Sequence, residues 1–132
     1  MGRILVAEDN AANLELMREI LDIQGHEIIE AHDGSEALLQ AELASPDLIL
    51  LDVNMPVMNG FEVLEKLRAD PQLAGIKVVA LTAYAMRGDR EKALEAGFDA
   101  YLTKPVDIQT LTQTIETFLN HNAQEKKYGT LG

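Results

Sequence analysis

The chain has 132 residues and a formal net charge of −11, from 22 acidic and 11 basic side chains. That length suits one domain, the 47% hydrophobic content suits one buried core, and no apolar run approaches the roughly 20 residues that span a bilayer. So acidic a surface argues against direct nucleic-acid binding, and the absence of cysteine excludes disulfides and thiolate metal sites. Charges at Arg3, Glu8 and Asp9 come too early for a secretory apolar segment, and Val6 stands where an N-myristoylation signal wants Ser or Thr. The expectation is a cytoplasmic protein without a membrane anchor.

In chain order, short apolar runs alternate with segments whose apolar residues lie three or four apart. Ile4–Ala7 reads as a strand, followed by a helical stripe of Leu14, Met17, Ile20 and Leu21 that Gly25 stops. A strand at Glu27–Ala31 precedes a helix opened by Asp33, with Glu36 completing a capping box. The strand at Leu48–Leu51 leads to a helix marked by Phe61, Leu64 and Leu67, which must end before Asp70-Pro71. Next come a strand at Val78–Thr82, a helix at Asp89–Ala96 stopped by Gly97, and a strand at Ala100–Leu102. Ile108, Leu111, Ile115, Phe118 and Leu119 mark the last helix. Residues 1–122 form the expected folded unit, and the polar, aperiodic residues 123–132 a frayed tail or linker stump.

Five βα units in succession predict an α/β fold, (βα)5, with a doubly wound parallel sheet covered by helices on both faces. Right-handed crossovers favour the flavodoxin-like strand order 2-1-3-4-5. Ligands of such sheets bind beyond the carboxyl ends of the strands. There the sequence puts Glu8 and Asp9 after the first strand, Asp52 after the third, Thr82 at the end of the fourth and Lys104-Pro105 after the fifth. In the predicted order the first and third strands are neighbours, so Glu8, Asp9 and Asp52 crowd together. Three adjacent carboxylates cannot all stay ionised alone, and a hard cation such as Mg²⁺ resolves the conflict. Asp52 is then placed to act as a nucleophile toward a phosphoryl group, with Lys104 as a point charge and Thr82 as a hydroxyl donor.

Each residue also has a plainer reading. Glu8 and Asp9, or Asn10, would suit a helix cap, and Asp52 a loop before a turn at Asn59-Gly60. Gly60 reads as a turn conformation costly for other residues. His26, His32 and His121 show no ligand spacing, and Met55, Met58 and Met86 suit either a partner surface or gap-filling in the core. Separate plain explanations for every polar residue at one rim are far less economical than one site.

The stretches Ile-Leu-Val-Ala-Glu-Asp-Asn at 4–10, Pro-Asp-Leu-Ile-Leu-Leu-Asp-Val-Asn-Met-Pro-Val-Met-Asn-Gly at 46–60, Val-Val-Ala-Leu-Thr-Ala at 78–83 and Ala-Gly-Phe-Asp-Ala-Tyr-Leu-Thr-Lys-Pro at 96–105 together resemble response-regulator receiver domains. The resemblance implies that Asp52 is the phosphoacceptor. It implies that Glu8, Asp9, Asp52 and the backbone carbonyl of Asn54 hold Mg²⁺, with Mn²⁺ as an alternative. It makes Lys104 the phosphate-binding lysine, with Lys104–Pro105 a cis peptide, and Thr82 and Tyr101 the switch pair. Asn54 and Tyr84 take the positions that tune acyl-phosphate lifetime, and a bulky Tyr84 would shield the bond. The implied phosphoryl donor is a histidine kinase or histidine phosphotransfer protein. The implied output is a changed helix 4–strand 5–helix 5 face, read by a downstream protein or by a second copy in a homodimer. Such a chain assists its own phosphorylation and dephosphorylation but is not an enzyme with a separate substrate.

Two other classes fit less well. A constitutive binding module on this fold typically lacks the acid pair, the acceptor or the lysine, and all are present here. A small aspartyl phosphatase usually carries a second acid two residues after its nucleophile, where this chain has Asn54.

Overall fold

The structure is a computed structural model that describes residues 2–55, 57–83 and 88–131, with side chains described as far as 119. Its elements, in order, are β1 (Arg3–Ala7), α1 (Ala11–Ile23), β2 (Glu27–Ala31), α2 (Gly34–Ala44), β3 (Leu48–Asp52), α3 (Gly60–Ala69), β4 (Lys77–Thr82), α4 (Asp89–Ala96), β5 (Ala100–Thr103) and α5 (Ile108–Leu131). The five strands form one sheet in the order β2-β1-β3-β4-β5, and every pairing is parallel. This is the doubly wound fold expected from the alternating pattern.

Continuous apolar runs become central strands because both faces of the sheet are covered. Ile4, Val6, Leu48 and Leu50 face α1 and α5, packing with Leu14, Met17, Leu21, Leu111 and Ile115. The alternate residues Leu5, Ala7, Ile49 and Leu51 face α2, α3 and α4, packing with Ala37, Ala41, Val63, Leu64, Leu67 and Ala93. All five residues of β3 are buried, and each of its Leu or Ile side chains contributes about 1.5–3 kcal/mol by leaving water. The edge strands β2 and β5 are only half covered.

Helix starts are set locally. Asn10 caps α1 by accepting from Asn13 N, so neither Glu8 nor Asp9 is the N-cap. Asp33 caps α2, but only half of the expected capping box forms, because the Glu36 carboxylate lies against His32 Nδ1 at 3.2 Å. A complete box, which the sequence pattern did not single out, opens α3 between Asn59 and Glu62. Gly97, at φ 114°, ends α4 in the left-handed conformation that glycine adopts without steric cost.

One expectation needs correction. Gly60 is not among the residues with positive φ; it is required by close approach. A Cβ there would stand 2.6 Å from Val53 Cα and 2.9 Å from Asp52 O, so the absent side chain lets α3 begin directly against the backbone just beyond Asp52. The helix α5 runs on through residues 123–131. Ala, Gln, Glu and Lys in that stretch are good helix formers even without an apolar stripe. Met55 is buried in the core and Met58 packs against it, whereas Met86 lies outside the described residues.

Strand register places the polar residues at the strand ends. Ala7 pairs with Leu51 and Thr82 with Thr103, so Glu8 continues alongside Asp52, and Lys104 comes directly after the β4–β5 ladder. The ladders extend one residue further through Glu8 N to Ala31 O, Val53 N to Leu81 O and Lys104 N to Thr82 O. These bonds hold the polar residues at the carboxyl rim of the sheet rather than in free loops.

Candidate functional site

Glu8, Asp9 and Asp52 offer carboxylate oxygens that all lie within 4.8 Å of one another. Glu8 and Asp52 are buried, while Asp9 is exposed at the mouth. Lys104 Nζ bridges the two buried acids, donating to Asp52 Oδ2 and to Glu8 Oε1, each at 2.8 Å. Asp52 Oδ1 accepts from Asn54 N at 2.9 Å. Glu8 Oε1 also receives Asn10 N and Asn13 Nδ2, both at 3.3 Å. Glu8 Oε2 lies 2.8 Å from Lys104 Nζ, an ion contact without hydrogen-bond geometry, and has no hydrogen-bond donor among the described residues. These groups line one open cleft together with Ala83 and Pro105.

A second, smaller cleft adjoins the first through Asn54, and Thr82, Tyr101, Phe61, Asp89 and Lys92 also line it. The Asn54 amide donates to Thr82 Oγ1 at 3.2 Å, linking the residue two after Asp52 to the end of β4. Thr82 is buried, and Tyr101 half-buried on β5. The Lys104–Pro105 bond is cis. Of the residues singled out from sequence, the structure thus gathers Glu8, Asp9, Asp52, Asn54 and Lys104 at one cleft, and Thr82 and Tyr101 at its neighbour. Tyr84 lies outside the described residues.

Comparison with known proteins fits this arrangement. The family model of the response regulator receiver domain matches residues 4–116. The chain belongs to that family. A polar-differentiation response regulator, DivK of Brucella anthropi, is 39% identical over 116 residues, covering 88% of this chain and 94% of that protein. The receiver domain of sensor histidine kinase PA1611 from Pseudomonas aeruginosa, solved with magnesium coordinated in its active-site cleft, superposes with a TM-score of 0.83. It is 33% identical, over 90% of this chain and 98% of that one. A CheY-like receiver protein from Methanospirillum hungatei gives 0.86 at 34% identity, over 95% and 98% of the two chains. The chain is therefore a receiver domain of two-component signalling, a phosphoacceptor signalling family rather than a family of classical enzymes.

The receiver's electrostatics arise from burial. Loss of solvent is the main force raising the Glu8 pKa; the Lys104 hydrogen bond opposes it and the Asp52 charge adds to it. Burial disfavours the Lys104 ammonium most of all, yet its hydrogen bonds to Asp52 and Glu8 together outweigh that cost and hold its pKa above the ordinary lysine value. Burial, then the charge of Asp89, raises the Tyr101 hydroxyl. Three hard oxygen donors and a buried carboxylate oxygen lacking a hydrogen-bond donor match the chemistry of Mg²⁺, which receivers bind at an acidic pocket of this kind. Glu8, Asp9 and Asp52 are the residues that would hold it.

Sequence reasoning missed Asn13 and the Asn54–Thr82 bond. Asn13 reaches Glu8 only because Asn10 sets where α1 begins, so the one available signal was the N-cap three residues upstream. The Asn54–Thr82 bond depends on the alignment of β3 with β4, which no local pattern reveals.

Proposed function

We propose that this receiver domain is a phosphorylation-driven switch whose acceptor is Asp52. The observation that carries this is a carboxylate at the centre of the acidic cleft, within 4.8 Å of two further acids and bonded at 2.8 Å to a lysine just past the far strand. In the forward step, an Asp52 carboxylate oxygen attacks the phosphorus of an N-phosphohistidine on a histidine kinase or histidine phosphotransfer protein. An O–P bond forms as the N–P bond breaks, and the electron pair returns to the imidazole nitrogen, which takes up a proton. Bound Mg²⁺, or Mn²⁺ in its place, would neutralise charge on the transferring phosphoryl oxygens. Glu8, Asp9, Asp52 and the Asn54 carbonyl hold that cation in this reading, and Lys104 binds a phosphoryl oxygen. In a separate step water attacks the phosphorus of the acyl phosphate, the Asp52 O–P bond breaks, and inorganic phosphate leaves as the carboxylate is restored, at a rate tuned by Asn54 and Tyr84.

The switch has a simple electrostatic origin. A phosphoryl group brings up to about two negative charges and three acceptor oxygens to the rim. The Thr82 hydroxyl turns toward them, and Tyr101 takes up the adjoining cleft. The α4–β5–α5 face is thereby biased toward a second arrangement that a downstream protein, or a second copy of this chain, reads. The proximity of Thr82 and Tyr101 in one cleft beside Asn54 supports this coupling. The switch unit occupies residues 1–122, with 123–132 as a C-terminal extension, and works in the cytoplasm; no described helix is long and apolar enough to cross a membrane.

The test is intact mass after incubation with acetyl phosphate, with and without Mg²⁺, on wild type and Asp52→Asn. The reading expects one phosphoryl group, gained only by wild type and only with the cation. No gain from acetyl phosphate or from a histidine kinase would point instead to a constitutive binding module.

A further inference from the structure

Two buried glycines flank the connection from β3 to α3. Gly60 sits against the backbone of Asp52 and Val53, and Gly34, the first residue of α2, sits against Met58. A Cβ at Gly34 would fall inside contact distance of Met58 O, 2.6 Å from Met58 Cβ and 2.9 Å from Val63 Cγ2. Next to Met58, Val57 is 81% exposed and holds φ at 69°, a left-handed conformation that is strained for a β-branched residue. We propose that Gly34 is a positioning residue for Asp52: its missing side chain lets the start of α2 seat Met58, and that seat fixes, through Gly60, the peptide that hydrogen-bonds the acceptor carboxylate. This rests on the reading of Asp52 as the phosphoacceptor.

The coupling runs through a single peptide unit. Gly60 N donates to Val53 O at 3.1 Å, and the other end of that Val53–Asn54 peptide, Asn54 N, donates to Asp52 Oδ1 at 2.9 Å. A tilt of this plane therefore changes the bond to the acceptor. Asn59, between Met58 and Gly60, is tied to the first turn of α3 by its capping box with Glu62, so a displacement of Met58 tilts that turn and carries Gly60 with it. Helix α2 is the fixed side of the contact, because Asp33 caps it and Ala37 and Ala41 bury its inner face in the core. The exposed, strained turn at Val57 is the side that gives. Such strain persists only where the surroundings impose it. Here Met55 in the core, Met58 against Gly34 and Gly60 against Val53 impose it. The arrangement orients the Asp52 carboxylate before a phosphoryl group arrives, so less ordering is left to the transition state.

The experiment compares wild type, Gly34→Ala and Val57→Asn, first by amide NMR of the unphosphorylated, metal-free protein. The Asn54 amide proton is deshielded by its bond to the Asp52 carboxylate. Gly34→Ala is expected to move that resonance upfield. It should also slow phosphorylation by acetyl phosphate at saturating Mg²⁺ at least about ten-fold, in protein shown to be folded by circular dichroism. A merely structural role for Gly34 would lower the urea midpoint alone, so an unmoved resonance or an unslowed rate overturns the proposal. Asparagine accepts the left-handed conformation, so Val57→Asn relieves the strain without unseating Met58. It should raise the urea midpoint and leave the Asn54 resonance in place. A lower midpoint, or a shifted resonance, overturns the proposal even where Gly34→Ala fails to fold. A wild type that takes up no phosphoryl group would remove the phosphoacceptor reading itself, an outcome distinct from an unmoved resonance, which is read without phosphate or metal.

Discussion

The two rims of one sheet carry charge in opposite ways. At the amino rim, Arg68 donates to the carbonyls of Ala74, Ile76 and Gly97 and to Asp99 Oδ2, at 2.7–2.9 Å, and Asp99 also accepts from Val78 N. Arg3 pairs with Glu27 and donates to Ala44 O, and Asp47 accepts from Arg3 N. Charge and partner match at each place, and the bonds tie strand starts to neighbouring loops. At the carboxyl rim, three carboxylates cluster around one ammonium that pairs with two of them, and a buried oxygen has no hydrogen-bond donor among the described residues. The first arrangement holds the fold together. The second is under-neutralised, which in the proposed function suits it to a cation and a phosphoryl group. The same residue types therefore serve stability or chemistry according to whether the local count of charges closes.

The contrast can be broken deliberately. Asp52→Asn should abolish phosphoryl incorporation completely while leaving the circular dichroism spectrum of a folded protein. Phosphorylation that persisted would place the acceptor elsewhere. Arg68→Met strips donors from three carbonyls and a carboxylate, and should cost about 2–4 kcal/mol in urea denaturation. Its acetyl phosphate reactivity, measured where it is folded, should match wild type; a loss of less than about 1 kcal/mol would deny the amino rim its structural role.

Gly60→Ala tests the border between the two roles. Its Cβ would press on Val53 Cα and Asp52 O, costing about 1–3 kcal/mol and displacing the backbone at Asp52. Stability and phosphorylation rate should fall together, and an unchanged rate would separate α3 packing from the site.

The smallest effect concerns His26, which accepts from Gly2 N at 3.0 Å. Burial, helped by the N-terminal charge and opposed by Glu116, lowers its pKa from 6.5. Below that value the unfolded chain takes up a proton that the folded chain resists, so stability is full above pH 6.5 and falls as pH drops toward the folded pKa. His26→Gln should flatten that part of the urea-midpoint profile between about pH 7.5 and 5.5. Parallel profiles for the two proteins would contradict it.

Most of this fold was legible in the sequence because its central strands are buried on both faces and read as continuous apolar runs. Glu27–Ala31 and Asp89–Ala96 coincide with the elements observed. The site was legible for a related reason: Glu8, Asp52, Thr82 and Lys104 each stand at or just past a strand end, where a polar residue interrupts the pattern. The rest depended on distance along the chain. Arg68 and Asp99 are 31 residues apart, and nothing local announces their pairing. The Glu36 carboxylate was diverted from its box by His32, a side-chain choice made only once β2 and α2 are in place. The requirement for Gly60 was misread because close backbone approach and positive φ select the same residue.

The central claim, that the crowded rim exists to carry a phosphoryl group on Asp52, is tested most directly by trapping. Protein treated with acetyl phosphate and Mg²⁺ would be reduced with borohydride, which converts an aspartyl phosphate to homoserine, and then peptide-mapped. The account predicts one modified position, Asp52, that disappears when Mg²⁺ is withheld. Modification at Asp9 or any other acid, or at Asp52 regardless of Mg²⁺, would contradict it.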